Sequence, residues 1–406
     1  MTKSEEIIQE VKRGNANHYN PLSVVLSRAD GVWVWDADGK KYMDMLACYS
    51  AVNLGHNNPK IRRAIERQLE TGLLQCSNAF FNENQVFDSE LADFCGFERV
   101  LVMNTGAEAV ETFIKLARKW FVVGRGGAEQ AAEIIVCENN FHGRTTTIVS
   151  FSSDESYRYG FGPHTQGFKI IPYGDLDALE RAITSNTAAF LLEPIQGEGG
   201  VIIPPRGYLK KARELCHKNG VLFALDEIQT GFARTGKMFA WEHENARPDV
   251  LILGKSLGTA LPISAVLASK EVMDAVYTPG THGSTFANGP LPCAVGRAVL
   301  DFFRENSDLP DRVRDLGNWF MRKLRTIKSP YIQEVRGKGL FVGVELKPEA
   351  GGARRFAESL MNLEPVGILC KETHENVIRF VPPLIVTKEE LEWAFENIKM
   401  VLETTK

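Results

Sequence analysis

The stretch that decides the fold is L-F-A-L-D-E-I-Q-T-G-F-A-R-T-G at 222–236, followed by P-D-V-L-I-L-G-K-S-L at 248–257. One apolar run ends in a carboxylate, Asp226. A second ends in Gly254 and an amine, Lys255. Short runs of Val, Ile, Leu and Phe are expected of strands buried on both faces. Two such strands deliver the acid and the amine to one sheet edge, where ligand sites of α/β proteins gather.

Working outward, similar runs predict strands at 99–103, 133–137, 146–151, 168–172, 188–192, 221–225, 250–253 and 264–268. Helical periodicity lies between them at 108–121, 176–184 and 209–219. The alternation predicts an α/β core with a mostly parallel sheet. Residues 124–132 read as a loop. The ends differ. The first 50 residues hold a short helix and the hairpin V-W-V-W-D-A-D-G-K-K-Y-M-D-M, with turn chemistry at Asp38 and Gly39. From about 297 come a long helix, strand-like V-R-G-K-G-L-F-V-G-V-E-L and V-I-R-F-V-P-P-L, and a helix from about Lys388. The expected division is a large domain at 51–296 and a small α+β domain at 297–406, with the segment 1–50 packing on the small one. There is no internal repeat or low-complexity tract.

The chain has 406 residues, 44% hydrophobic and 24% charged, the make-up of a folded globular enzyme. A net charge of −4 gives no reason to expect nucleic acid or an anionic membrane as partner. No apolar run approaches the ~20 residues of a membrane span. The start, M-T-K-S-E-E-I-I-Q-E-V-K, resembles neither a signal nor a transit peptide. Seven scattered cysteines without a C-x-x-C predict reduced thiols and a cytoplasmic protein.

Each candidate group has an ordinary reading beside the chemical one. A lysine at a strand end is usually solvated, and an aspartate there is usually a cap. A buried amine, however, loses its proton more readily. An amine that can condense with an aldehyde, beside an acid that can keep a ring nitrogen protonated, is the pair that pyridoxal phosphate chemistry needs. Asp226 with Glu227 would also suit a metal, but the histidines show no ligand spacing, and no metal is expected. M-N-T-G-A-E-A-V-E opens a helix after the strand at 99–103. Thr105, Gly106 and Ala107 there offer N–H groups and a hydroxyl to a phosphate, or else form a plain capped junction. Phe141 in N-N-F-H-G-R-T suits either ring stacking or the core, and Arg144 either a carboxylate or a surface ion pair. Arg379 lies among apolar residues and needs an anion, for which Glu198 in E-P-I-Q-G-E-G-G is suited.

Taken together, M-N-T-G-A-E-A, N-F-H-G-R-T, E-P-I-Q-G-E-G-G, L-D-E-I-Q-T-G-F-A-R-T-G, L-G-K-S-L, H-G-S-T-F and V-R-G-K-G-L closely resemble the class III pyridoxal-phosphate aminotransferases of fold type I. The resemblance covers nearly the whole chain. It implies a large domain built on a seven-stranded sheet, pyridoxal phosphate as cofactor and a homodimer. N-H-Y-N-P-L-S-V-V-L around Tyr19 and L-A-C-Y-S-A-V-N-L-G-H around Tyr49 are most similar to the branch that uses ornithine and 2-oxoglutarate. Acetylornithine and other ω-amino acids are the alternative donors, and a racemase on the same fold is a more distant one.

By resemblance, Lys255 carries the cofactor covalently, Asp226 pairs with the ring nitrogen, Gln229 bonds the ring hydroxyl, and Phe141 and Ile228 flank the ring. Thr105, Gly106 and Ala107 hold the phosphate, with Ser284 and Thr285 completing the site, Thr285 from the second subunit. Tyr19 and Arg144 grip the α-amino and α-carboxylate groups, beside Tyr49, and Glu198 and Arg379 form a gate. The family pattern S-T-x-G-G-N-P reads S-T-F-A-N-G-P here, 284–290. If the replaced glycines have positive φ, Ala287 is strained and Asn288 less so. Val110 is bulkier than the glycine expected at its place.

Overall fold

The computed structural model describes residues 1–405. Its chain opens with the helix Lys3–Gly14, whose capping box joins Thr2 and Glu5. Strands β1 (Leu26–Asp30), β2 (Trp33–Asp36) and β3 (Lys41–Asp44) follow as an antiparallel meander. Gly39 takes the left-handed conformation, φ +92°, that the β2–β3 turn needs.

The large sheet is built from β4 (Arg99–Met103), β5 (Glu133–Cys137), β6 (Phe168–Ile171), β7 (Thr187–Leu192), β8 (Leu222–Asp226), β9 (Val250–Leu253) and β10 (Ser264–Ala268). Its seven strands run in the order β4-β10-β9-β8-β7-β5-β6. Only β10 is antiparallel to its neighbours. The expected mostly parallel, seven-stranded sheet is therefore present. Alternation along each strand explains the layers. Ile134, Val136, Ala189, Leu191, Ala224, Ile252 and Val266 face the helix Gly106–Val123. Ile135, Phe190, Leu192, Phe223 and Leu225 face the helices Leu176–Ala182 and Tyr208–Lys218. Val110 is fully buried in the first of these layers.

One expected strand is not a strand. Residues 146–151 begin with the helix Thr146–Val149. The Thr145 hydroxyl accepts from the Ile148 N–H at 3.3 Å and so caps it. A short β-branched run has no decisive period, and the local cap prevails.

The chain continues through the helices Pro290–Glu305 and Leu309–Leu324. An edge placed between residues 296 and 297 falls inside the first of them. Strands β11 (Ile332–Lys338), β12 (Phe341–Leu346), β13 (Val366–Leu369), β14 (Lys371–Thr373) and β15 (Val377–Phe380) follow, and then the helix Lys388–Thr404. One sheet has the order β11-β12-β15-β14, and the other β1-β2-β3-β13. The parallel β3–β13 pair ties the first 50 residues to the C-terminal part. No described helix is long and apolar enough to cross a membrane, and all seven cysteines are unpaired.

Candidate active site

Register brings the acid and the amine together. Asp226, the last residue of β8, lies opposite Ile252 of β9, and Lys255 follows two residues after β9 ends. Lys255 has φ +45°, a conformation that costs a non-glycine residue about 1–3 kcal/mol and is held only where packing enforces it. Its Nζ has no hydrogen-bond partner among the described residues. Burial lowers its pKa to about 8, with Arg379 adding to the shift and Glu198, Asp226 and Glu193 opposing it. Lys255 is thus much closer to a free amine at neutral pH than an ordinary lysine.

Asp226 is 5% exposed. Its Oδ1 accepts from the Ile228 N–H at 3.1 Å, and its Oδ2 lies 2.6 Å from His142 Nδ1. Burial alone would lower the His142 pKa, but the bond to Asp226 and the charges of Asp226 and Glu193 raise it. The result is a buried, short His142–Asp226 hydrogen bond in which the protonated imidazole is favoured. Glu227, beside it, turns away and accepts from the N–H groups of Ala240 and Trp241.

A cavity of about 200 Å³ opens between these groups, lined by Gly106, Ala107, Phe141, His142, Gly143, Glu193, Asp226, Ile228, Gln229 and Lys255. One of its glycines is a steric requirement: Gly143 has φ +130°, and a Cβ on it would stand 2.9 Å from Ala107 Cβ, whereas a Cβ on Gly106 would meet only the movable end of Ile228, Cδ1, at 2.9 Å. Gly106 and Ala107 open the helix Gly106–Val123, and their N–H groups have no intrahelical partner. The Thr105 hydroxyl caps that helix by accepting from the Glu108 N–H, while the Glu108 carboxylate accepts from the Thr105 N–H. Gln229 Nε2 donates to Glu198 at 3.3 Å, whereas its buried Oε1 has no partner. The donor set therefore fits a flat ring carrying a hydroxyl, an aldehyde and a phosphate: an acceptor for the hydroxyl, an amine for the aldehyde, and a helix N-terminus for the phosphate.

Two groups at this cavity escaped the sequence reading. His142 is one. The other is Glu193, a buried carboxylate directly after β7, whose Oε1 accepts from the Phe141 N–H at 3.0 Å and Oε2 from the Gly197 N–H at 3.1 Å. Burial pushes it up to about 7, with Asp226 adding to the rise and His142 opposing it.

Beyond the ring cavity lies a wider one of about 640 Å³, whose walls include Phe141, Tyr157, Glu198 and Lys371. Arg379 of β15 is fully buried, and its Nη1 donates to Glu198 Oε1 at 2.7 Å. Arg379 Nε and Nη2 have no partner, so half of its fork remains unused. Burial opposes ionisation of Glu198, but Arg379, Lys255 and Lys371 pull it down to about 2. The Tyr49 ring lies 5.1 Å from the Arg379 guanidinium. It is presented by a left-handed turn in which Ala47, Cys48, Tyr49 and Ser50 all have positive φ. Asp44 holds that turn by accepting from the Leu46 and Ala47 N–H groups, and His56 Nε2 lies 2.8 Å from its other oxygen.

Arg144 lies in the exposed outer part, its guanidinium 4.5 Å from the Tyr157 ring and 5.9 Å from the Tyr19 ring. Tyr157 was not anticipated. Tyr19 is 65% exposed. Ser284 and Thr285 stand apart from the ring cavity and line a separate open groove of about 880 Å³. Of the loop 284–290, Asn288 does take a positive φ, +55°, but Ala287 does not, so the strain expected at Ala287 is absent.

A family model for class-III aminotransferases matches residues 14–402, and the chain belongs to that family. The ornithine aminotransferase of Brevibacillus brevis is 52% identical over 408 residues, covering 100% of both chains. The solved ornithine aminotransferase of Toxoplasma gondii, described with partial occupancy of PLP at its active site, superposes with a TM-score of 0.94 at 41% identity, over 98% of this chain and 94% of that one. An acetylornithine aminotransferase structure from Elizabethkingia anophelis gives 0.88 at 43% identity, over 99% of both chains. The architecture is that of fold type I.

Proposed function

We propose that this enzyme transfers the δ-amino group of L-ornithine to 2-oxoglutarate, with pyridoxal phosphate as cofactor. The products are glutamate and glutamate 5-semialdehyde, which closes to pyrroline-5-carboxylate. The observation that carries this reading is the Glu198–Arg379 pair under the Tyr49 ring, next to Lys255. It agrees with full-length similarity to enzymes of that name.

Bound pyridoxal phosphate supplies an aldehyde that accepts the amine and a ring that takes up electrons when the adjacent carbon loses its proton. Lys255 would anchor it through its amine and, when freed, would carry the proton between substrate and cofactor. Asp226, oriented by its bond to His142, would hold the proton on the ring nitrogen. The unpartnered Gln229 Oε1 would accept from the ring hydroxyl, and Phe141 and Ile228 would confine the ring. Gly106 and Ala107 present N–H groups to the phosphate, with Thr105 shaping the turn. Thr285 of one subunit reaches the phosphate of the other, with Ser284 beside it, so a homodimer is the active unit.

One pocket must accept a terminal amine first and an α-keto acid second. With Glu198 on Arg379, the guanidinium is neutralised and does not attract an α-carboxylate. Ornithine then enters by its far end, its α-carboxylate on Arg144 and its α-amine near Tyr19. When 2-oxoglutarate enters, Arg379 turns its unused Nε–Nη2 edge to the α-carboxylate and Glu198 withdraws. Specificity comes partly from what the closed pair repels.

The similarity to an acetylornithine aminotransferase favours a second reading, with an acetylated donor. A panel of ornithine, N-acetylornithine, lysine and 4-aminobutyrate with 2-oxoglutarate separates the two. Ornithine is expected to have the highest kcat/KM, and a higher value for N-acetylornithine overturns the assignment.

A further inference from the structure

The loop 284–290, where this chain departs from the family pattern, is tied down by a row of asparagines. Asn78 Nδ2 donates to the Ser284 carbonyl at 2.7 Å, Asn82 Nδ2 to the Asn288 carbonyl at 3.0 Å, and Asn84 Nδ2 to the Pro290 carbonyl at 3.2 Å. Each bond spans 206 positions, so the segments run side by side in one register. Asn104 adds a bond to Ser284 Oγ at 2.8 Å. The amide orientation of Asn82 is fixed, because its Oδ1 accepts from the Asn84 N–H at 3.1 Å and only Nδ2 is left to donate.

The departure from glycine is accommodated at Asn288. Its left-handed backbone is one that asparagine tolerates, and its Nδ2 donates to Asp88 Oδ2 at 3.1 Å. Ala287 is buried, while Thr285 and Phe286 between the ties stay exposed. The loop is thus held from behind and offers its tip outward. A tip ordered before it meets its target loses less freedom on contact, and binding is tighter for it.

We propose that Asn82, supported by Asp88 through Asn288, is a positioning residue for Thr285 and so sets how tightly the other subunit of the dimer holds pyridoxal phosphate. This rests on the reading that Thr285 crosses to the second subunit. Asn82→Asp keeps the acceptor that caps Asn84, removes the donor to the loop and sets a carboxylate oxygen against the Asn288 carbonyl. The dissociation constant of pyridoxal phosphate from the apoenzyme, read by quenching of protein fluorescence, is expected to rise about tenfold for Asn82→Asp, with the dimer retained in light scattering. Asn288→Gly, which removes the Asp88 bond and keeps the backbone free to adopt positive φ, is expected to shift it in the same direction by about threefold. In a Thr285→Ala background, Asn82→Asp is expected to add nothing, because its effect passes through that hydroxyl. An affinity within about twofold of wild type for Asn82→Asp, or its full effect on top of Thr285→Ala, overturns the proposal. If Thr285→Ala itself leaves affinity unchanged, the shared-site reading fails and the proposal with it.

Discussion

Replacing Glu198 by Gln tests the gate. Arg379 has no exposed side-chain surface and makes one short charged bond, to Glu198. Such a bond contributes about 1.5–3 kcal/mol net. Glutamine keeps the volume and a weaker acceptor but removes the negative charge that competes with an incoming α-carboxylate. With about 1.4 kcal/mol per factor of ten, the preference for glutamate over ornithine as donor should rise roughly ten- to a hundredfold. The two half-reactions are measured separately, each amino acid alone in single turnover, followed by loss of the visible absorbance of the cofactor. Glutamate should gain and ornithine should lose, because a freed Arg379 also draws ornithine in by the wrong end. A selectivity ratio within about threefold of wild type would refute the reasoning, since a charge bonded this closely and this deeply cannot be removed without consequence. A second readout checks the same geometry. The Glu198 charge also pulls the Lys255 pKa up, so in Glu198→Gln the lysine should titrate below its wild-type value of about 8.

Capture of pyridoxal phosphate by the apoenzyme should speed up with rising pH and level off above about 8, because only the neutral amine of Lys255 attacks. A rate still climbing towards the ordinary lysine range would show an unperturbed amine. In Asp226→Asn, His142 keeps the burial that lowers its pKa, loses the bond and charge of Asp226 that raise it, and retains only the smaller pull of Glu193. Its titration, followed by NMR of labelled histidine, should move from above the ordinary value to below it, and turnover should fall by at least about a hundredfold. Tyr49→Ile removes the ring beside Arg379 and should narrow the preference for ornithine over N-acetylornithine; an unchanged ratio would remove Tyr49 from the specificity argument.

The pair at the centre was legible because each member ends an uninterrupted apolar run, and buried parallel strands deliver their ends to one edge. By the same logic Glu193 was legible too. It follows β7 directly, as Asp226 ends β8, in the same motif as Glu198. His142 and Tyr157 carried no such signal. The bond between His142 and Asp226 spans 84 positions, and nothing local to N-F-H-G-R-T specifies it. The run at 146–151 is not a strand because its two threonines and two aliphatics suit either geometry, and one hydroxyl cap, from Thr145, decides it. The strain expected at Ala287 failed for a related reason: φ belongs to the loop as a whole, and the positive value falls one residue later, on Asn288. That the first 50 residues pack with the C-terminal part is an expectation of the sequence, but no local pattern specifies the parallel β3–β13 pair that joins them.

The most direct test is chemical trapping. Holoenzyme reduced with borohydride and digested should yield one peptide carrying a pyridoxyl group, with the modified residue at Lys255. A label on any other lysine, or a digest without one, would contradict the account, because every role assigned to the surrounding side chains is measured from that amine.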